Sequence, residues 1–364
     1  MPSTFGSNLR ISIFGQSHSE AIGVVIDGLP AGIAIDMDRL SAFLSRRAPG
    51  QGRHTTARRE PDRPEFVSGV VDGVTCGAPL CALIRNTDIR SGDYAELRDK
   101  PRPSHADYPA YVKFGAAHDI RGGGHFSGRL TAPLCIAGGI ALQELERRGV
   151  RVGAHIASVG AVKDRRYDPV NVSAADFEQI SAGGFPVLDA QAGERMLAER
   201  EDARSRADSV GGTVECAAVG LPAGLGDALF GGVEGRVAQA LFGVPAVKGV
   251  EFGSGFAGAE LRGSQNNDPF SMQDGRVRTL TNNAGGILGG ITTGMPLIVR
   301  VAIKPTPSIG QAQHSVSLSR GEDTELVIKG RHDPCIVTRA VPVIESAVAL
   351  TLLDMMLQSQ EHDS

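Results

Sequence analysis

The chain has 364 residues, 41% of them hydrophobic, and a formal net charge of −4 at pH 7. That length gives ample core and suggests two domains or one duplicated domain, while the charge excludes a globally basic field for nucleic acid. The 47 glycines are close to twice ordinary usage and scattered, a sign of many tight turns, and the five cysteines form no CxxC pair and read as small buried hydrophobes in a reducing compartment.

Residues 1–10 lack the basic-then-apolar pattern of a signal peptide, and no run of eighteen apolar residues occurs, so no membrane span and a cytoplasmic location are expected. Residues 9–14 read as a first strand, running into the turn Gly15-Gln16-Ser17-His18-Ser19. Residues 22–26 read as a buried strand closed by Gly28-Leu29-Pro30-Ala31-Gly32. Residues 36–47 have helical spacing, with Met37, Leu40, Phe43 and Leu44 on one face and Asp36 or Asp38 as cap. The stretch 46–63 carries Arg46, Arg47, Arg53, Arg58, Arg59 and Arg63 against only Glu60 and Asp62. Such a run is usually a solvated loop, but its one-signed excess also suits a polyanionic ligand.

Strands are expected at 66–71 and 79–85 around a turn. Residues 86–109 are polar and irregular, long enough to suspect function, and contain Arg102-Pro103-Ser104-His105-Ala106-Asp107. Then comes Arg121-Gly122-Gly123-Gly124-His125-Phe126-Ser127-Gly128-Arg129, followed by an apolar helix at 130–145. Glycines let backbone N–H groups approach an anion, arginine grips carboxylate or phosphate, and a helix N-terminus adds its own field; a plain tight turn before a packing helix is the other reading. A strand region at 150–162, helices at 176–191 and 194–206, and a turn at 208–212 follow.

The chain then repeats itself. Gly220-Leu221-Pro222-Ala223-Gly224 restates residues 28–32 letter for letter, after an apolar strand and before a helix at 233–242. The pattern G-x-T-x-G-x-P-L occurs at 73–80 and again at 290–297. An arginine-led turn and apolar helix at 121–145 has a looser partner at 331–357. Three elements recurring in order, about 190 to 220 residues apart, predict a duplicated α/β (α+β) fold in one domain spanning residues 1–364, with halves at about 9–150 and 207–357.

Most turns bearing arginine, glycine and histidine fall at strand ends or helix starts, where such folds place ligands. His18 and His105 each follow a serine in a turn; each is either a proton carrier or a hydrogen-bonded loop histidine. No HExxH, paired cysteine, P-loop or GxSxG elbow occurs, so no metal is expected. The GxGxxG at 253–258 leads into a polar loop, not a helix, and is not a dinucleotide fingerprint.

Taken together, these turns resemble the chorismate synthase family, from about residue 9 to residue 357. The resemblance rests on Gly15-Gln16-Ser17-His18 with Gly28-Leu29-Pro30, on Arg46-Arg47-Ala48-Pro49-Gly50 with Arg58-Arg59-Glu60-Pro61-Asp62, and on Arg102-Pro103-Ser104-His105-Ala106-Asp107. It continues through residues 122–129, 208–212 and 261–264, Asn283-Ala284-Gly285-Gly286-Ile287, Lys304-Pro305-Thr306 and Arg331-His332-Asp333-Pro334-Cys335.

The resemblance implies a β-α-β sandwich with internal pseudo-two-fold symmetry, usually a homotetramer. It implies conversion of 5-enolpyruvylshikimate 3-phosphate into chorismate and phosphate by an anti-1,4-elimination that needs reduced FMN without net redox change. It places His18 near the leaving phosphate, His105 where the protonation state of the reduced flavin is set, and Asp333 as the acid assisting the flavin, with the hydroxyls of Ser17 and Ser127 nearby. Flavin contacts fall on His125, Phe126 and Ser127, on Pro245 and Ala246, on Gly289, on Lys304, Pro305, Thr306, Pro307 and Ser308, and on Arg331. Arg47, Arg53, Arg129 and Arg331 hold the substrate anions, and Arg47 and Arg53 are also readable as contacts for NADPH, a possible reductant. Many members carry arginine and a second serine where this chain has His125 and Phe126, glutamate where it has Gln16, an uninterrupted triple arginine where it has Ala48, and glycine where it has Ser19. No nucleic-acid or membrane partner is expected. An anion- or RNA-binding module built on the arginine loop is the reading from another class, opposed by the net charge and by the scarcity of aromatics for stacking.

Overall fold

The computed structural model describes residues 3–48, 62–87, 96–328 and 333–360. The chain runs β1 (Thr4–Phe5), β2 (Arg10–Gly15), β3 (Ala21–Asp27), α1 (Met37–Arg47), β4 (Glu65–Ser68), β5 (Val70–Val71), β6 (Val74–Thr75), β7 (Leu80–Arg85), α2 (Asp107–Phe114) and α3 (Thr131–Arg147). It continues with β8 (Arg151–Val159), β9 (Val162–Lys163), α4 (Ala174–Ala182), α5 (Ala190–Ser205), β10 (Gly212–Val219), α6 (Val233–Phe242), β11 (Val247–Phe252) and a short α7 (Gly263–Asn266). Then come β12 (Phe270–Gln273), β13 (Arg276–Thr279), β14 (Ile287–Leu288), β15 (Ile291–Thr292), β16 (Leu297–Ile303), β17 (Gln313–Ser317), β18 (Glu322–Leu326) and α8 (Val337–Gln360).

Two five-stranded antiparallel sheets enclose a layer of helices. Their orders are β1-β2-β3-β7-β4 and β9-β8-β10-β16-β11, so β2, β3, β7 and β4 correspond to β8, β10, β16 and β11. Helices α3 and α8 lie side by side in the middle, α3 against β3 and β7 and α8 against β8 and β10, with α1 and α6 alongside. The two helices are in close contact at Gly138, where an added Cβ would collide with Ser346 of α8; only glycine permits that spacing. Helix α8 is long and apolar enough to cross a membrane, with a mean hydropathy of 1.7, but 89% of that window is buried in the fold. It is the core helix.

The duplication extends to single hydrogen bonds. In the first half Thr75 Oγ1 donates to Pro30 C=O at 2.7 Å and accepts from Ile33 N–H at 2.9 Å. In the second half Thr292 Oγ1 donates to Pro222 C=O at 2.6 Å and accepts from Leu225 N–H at 2.9 Å. Gly32 N–H and Gly224 N–H donate to the carbonyls of these same threonines at 2.8 and 2.9 Å. The repeated Gly-Leu-Pro-Ala-Gly is therefore a clasp between a strand end and a threonine, which is why the G-x-T-x-G-x-P-L pattern travels with it.

Local chemistry sets the helix boundaries. Asp36 caps α1 by accepting from Arg39 N–H at 2.9 Å, and Leu40 and Leu44 turn inward. The helix expected over 176–191 stops at Ala182, because Gly183, Gly184 and Pro186 break it; α5 restarts behind Asp189, which accepts from Gln191 N–H at 3.0 Å. The strand region at 150–162 is two strands turning at Gly160. Helix α2 was not expected, since its eight residues follow a proline-rich polar stretch.

A buried charged cluster lies on the outer face of the second sheet, with no counterpart among the described residues of the first. His155 has Nδ1 at 3.2 Å from Asp164 and Nε2 at 3.1 Å from Glu215. Both nitrogens must donate to carboxylates, so the ring is an imidazolium. Burial opposes this charge, but the two carboxylates raise the ring above its ordinary value.

Thr75→Val and Thr292→Val should each leave one buried N–H and one C=O unpaired, at a cost of about 2 kcal/mol. Denaturant unfolding should show lower midpoints with unchanged slope, and the double variant should lose the sum of the two.

Candidate active site

The glycine run is the seam of the site. Gly122, Gly123 and Gly124 have φ of 59°, 83° and 56°, three successive left-handed residues that only glycine adopts without strain. A Cβ at Gly122 would collide with the His18 ring and Ser17 Oγ, and one at Gly123 would stand 3.2 Å from the His105 ring. Ser17 N–H donates to Gly124 C=O at 3.0 Å, which docks the β2–β3 turn on the run. His18 Nδ1 lies 3.2 Å from Ser17 Oγ, and both residues are buried. The run thus lies between two histidines from different parts of the chain.

Asp62 anchors the arginine side. Its buried carboxylate takes Arg47 Nη1 at 2.6 Å and also pairs with Arg129 Nη1. Arg47 further donates from Nε to Thr131 Oγ1 and from Nη2 to Gly128 C=O, both at 3.1 Å. Arg129 Nε donates to Asn86 Oδ1 at 3.1 Å, and Asn86 Nδ2 donates to the carbonyls of Gln16 and Ser19 at 3.2 and 2.8 Å. Burial pushes the Asp62 carboxyl up, but Arg47 and Arg129 outweigh it and hold the group below its ordinary value. Arg47 is lowered by burial and by the nearby Arg339 charge, against Asp62. Arg339 Nε donates to Arg47 C=O at 3.0 Å, and its Nη1 lies 3.5 Å from Asp333 Oδ2.

Lys304 and Arg102 organise the opposite side. Arg102 meets Asp107 with two parallel bonds, Nε to Oδ2 at 2.7 Å and Nη2 to Oδ1 at 2.8 Å, and reaches Ser308 Oγ from Nη1 at 3.2 Å. Lys304 Nζ donates to Ser104 C=O at 2.7 Å, and its backbone N–H donates to Ala246 C=O at 3.0 Å. Thr306 Oγ1 donates to Asp333 C=O at 3.1 Å, and Ser209 Oγ donates to Thr306 C=O at 2.7 Å. Ser104, Ala246 and Asp62 are non-glycine residues with φ of 57°, 73° and 47°, and such strained backbones gather at functional sites.

These contacts close into a ring. It runs from the Ser17–His18 turn through Asn86, Arg129, Asp62, Arg47, Arg339, Asp333, Thr306, Ser308, Arg102 and His105 to the glycines and back. Ser17, His18, His105, Ser127, Arg47, Arg129, Ala246, Lys304, Thr306, Ser308 and Asp333 are brought together, with Pro245, Pro305 and Pro307 on the same segments. Burial raises Asp333 above its ordinary value, against Arg339. Ser127 caps the turn before α3, accepting from Arg129 N–H at 3.3 Å.

Other expected residues sit differently. His125 donates from Nδ1 to Gly15 C=O at 2.7 Å and accepts from Ser3 Oγ at 2.6 Å, so both ring nitrogens are taken. Phe126 packs on His118 at 5.8 Å and on Phe114 at 6.5 Å between ring centres. Gly289 lies in the β14–β15 turn beside Gly290, which abuts Asp227 and Gly232 at the start of α6, whereas Ala246 follows the end of α6, about 15 Å away along a ten-residue helix. Arg46 and Arg47 are not in a solvated loop: they end α1, and Arg46 forks onto buried Glu345 at 2.7 and 2.8 Å. Arg53 and Arg331 lie outside the described residues. The sequence reading gave no role to Asp62, Asn86, Arg102, Asp107 or Arg339. The available signal was an acid two residues after, and an arginine three residues before, His105.

Asp62→Asn should strand two buried guanidinium groups and cost about 3–5 kcal/mol in urea unfolding. Folding depresses Asp62 and Asp107 below the free carboxylate value, so their stabilisation is present above about pH 4 and is lost as pH falls through the folded values. The wild-type unfolding midpoint should fall in that range, and Asp62→Asn should flatten the fall.

The chorismate synthase family model matches residues 9–357. Curated relatives named chorismate synthase include one from Thermococcus gammatolerans, 51% identical over 97% of both chains, and one from Lancefieldella parvula, 47% identical over 98% of this chain and 96% of the other. A solved structure titled as a crystal structure of chorismate synthase superposes with a TM-score of 0.75 at 26% identity, covering 97% of this chain and 93% of that one. The glycine seam, the arginine pair on Asp62 and the duplicated sandwich lie within the matched span, and the chain belongs to the chorismate synthase family, carbon–oxygen lyases acting on phosphates.

Proposed function

We propose that the chain converts 5-enolpyruvylshikimate 3-phosphate into chorismate and phosphate by an anti-1,4-elimination with reduced FMN as cofactor, working as a homotetramer in the cytoplasm. The observation that carries the reaction is the closed ring, which sets Arg47, Arg102, Arg129, Arg339 and Lys304 around a glycine seam flanked by His18 and His105. A substrate with a phosphate and two carboxylates needs that cationic surround.

The residues present fit a flavin nucleotide. Lys304, Thr306 and Ser308 form a segment with the charge and hydroxyls that a phosphate requires, beside the backbone of Ser104 and Ala246. When bound, reduced FMN supplies the electron-rich centre that the elimination needs, with no net oxidation. In the reaction a C–O bond to phosphate breaks, a proton leaves the 1,4-related carbon, and a second ring double bond forms.

The chain's own groups bind, orient and carry protons. Arg129, braced by Asp62 and Asn86, faces the substrate anions. Arg47 has all three guanidinium nitrogens engaged with protein groups and acts from beneath, keeping Asp62 ionised between the two arginines. His18, on the glycine seam with Ser17, holds a proton for the leaving phosphate as its charge grows. Asp333 is buried and shifted toward its protonated form, which suits a group that exchanges protons beside the cofactor.

Anaerobic reconstitution with FMN, dithionite and 5-enolpyruvylshikimate 3-phosphate should release phosphate together with chorismate; a mixture that releases none would refute the reading. His18→Ala should lower turnover by about 10²-fold. Turnover near that of the unaltered chain would remove His18 from proton transfer.

A further inference from the structure

We propose that Asp107, clamped by Arg102, is a positioning residue that locks His105 as its Nδ1–H tautomer and turns the bare Nε2 toward the glycine seam. The inference rests on reading His105 as a group of the reaction site. Asp107 is the first residue of α2 and is 2% exposed. Its Oδ2 accepts from Arg102 N–H at 3.1 Å and from Arg102 Nε at 2.7 Å, and its Oδ1 accepts from Arg102 Nη2 at 2.8 Å. His105 Nδ1 lies 2.6 Å from the same Oδ1.

An ionised carboxylate only accepts hydrogen bonds. Burial would raise Asp107, but the bonds from Arg102 and His105 hold it well below the usual carboxylate range. The hydrogen must therefore sit on His105 Nδ1. Arg102 Nη2, 3.1 Å from that nitrogen, is also a donor, so the two share Oδ1 and do not bond to each other. The charged groups facing the imidazole are Asp107 from α2, Arg102 from the preceding turn and Lys304 from the segment after β16. Burial and the two cations lower its proton affinity more than Asp107 raises it, so the ring stays neutral. Nε2 is then an acceptor, and it stands on the Gly123 side, where a Cβ would lie 3.2 Å away. A ligand atom beside it must bring an N–H or O–H.

The lock has a specific consequence for an amide at position 107. In the Asp107→Asn variant the amide oxygen is best placed at the Oδ2 position, keeping two bonds from Arg102. The NH2 then faces His105 Nδ1, which can accept only by moving its hydrogen to Nε2. A donor would replace the acceptor at the glycine seam with little change in shape.

The test is long-range 1H–15N NMR on 15N-histidine-labelled protein at pH 7, with the His105 signals identified by their absence from His105→Gln. The unaltered chain should show a pyrrole-type Nδ1 and a pyridine-type Nε2, and Asp107→Asn should exchange the two. In the flavin-dependent assay Asp107→Asn should lower kcat by about 10²-fold with KM changed less than about twofold. An Nε2–H tautomer or an imidazolium in the unaltered chain would overturn the proposal without need of any variant. So would an Asp107→Asn protein that keeps both the tautomer and its turnover. If the unaltered chain shows the expected signals but releases no phosphate, the functional reading fails and the hydrogen-bond lock stands.

Discussion

One carboxylate shared by two buried arginines holds the site together. Asp62, Arg47 and Arg129 are each no more than 5% exposed, and removing three charges from water is costly unless each finds partners. They do: Thr131, Gly128 C=O and Asn86 accept further guanidinium hydrogens. Through these bonds the end of α1, the start of α3, the end of β7 and the β2–β3 turn are fixed to one another. The glycine seam, which follows from where α3 starts and where the turn docks, inherits its position from that triad. A cationic surround for a polyanion is self-repelling when empty, and the Asp62 charge is what lets two arginines stand together before any ligand arrives.

The duplicated frame puts its two halves to different uses. In the first sheet Gly23 pairs with Phe14 and Leu83; in the second, the corresponding Glu215 pairs with His155 and Arg300. An apolar trio has become a charged one while the backbone registers match. The reason lies in what covers each face. Tyr167, Phe177 and Ile180 pack over the second sheet around Ala217 and Ile298, and Glu215 accepts Tyr167 N–H at 2.8 Å as part of that cover. Buried charge there is matched internally, so that face is scaffold, whereas the ring joins segments of both halves at the ends of the strands and of the central helices.

What was legible in the sequence follows from what leaves a periodic or local mark. Helix α1 showed in its apolar spacing, α3 as an apolar run and α6 from its place after the repeated turn, and the duplication showed because the threonine clasp needs the same letters in both halves. The glycine run and the histidine turns stood out because rare backbone shapes and proton-carrying side chains have few alternatives. Asp62, Asn86 and Arg339 were opaque because their meaning is purely tertiary: each contacts residues tens to hundreds of positions away, and an aspartate or asparagine in a polar loop looks like any other. The excess charge of Arg46 was opaque too, since its partner Glu345 lies 299 positions away, whereas Arg47 meets Asp62 from the far end of the same basic stretch. His125 and Phe126 face Gly15, Ser3 and two aromatic rings, so they hold the N-terminal segment against the run.

Two strained residues hold Lys304 in place. A left-handed non-glycine residue costs of order 1 kcal/mol, and both Ser104 and Ala246 present their carbonyls to Lys304 from that conformation. The lysine is thereby tethered at Nζ and at its backbone, with its charge set before binding. Arg102 is likewise immobilised by Asp107 and Ser308, and Arg129 by Asp62 and Asn86. In an elimination where charge grows on a departing phosphate, cations that need not move as the bond breaks stabilise the transition state more than they stabilise the bound substrate. The strained carbonyls and paired carboxylates are the means by which this fold keeps its cations still.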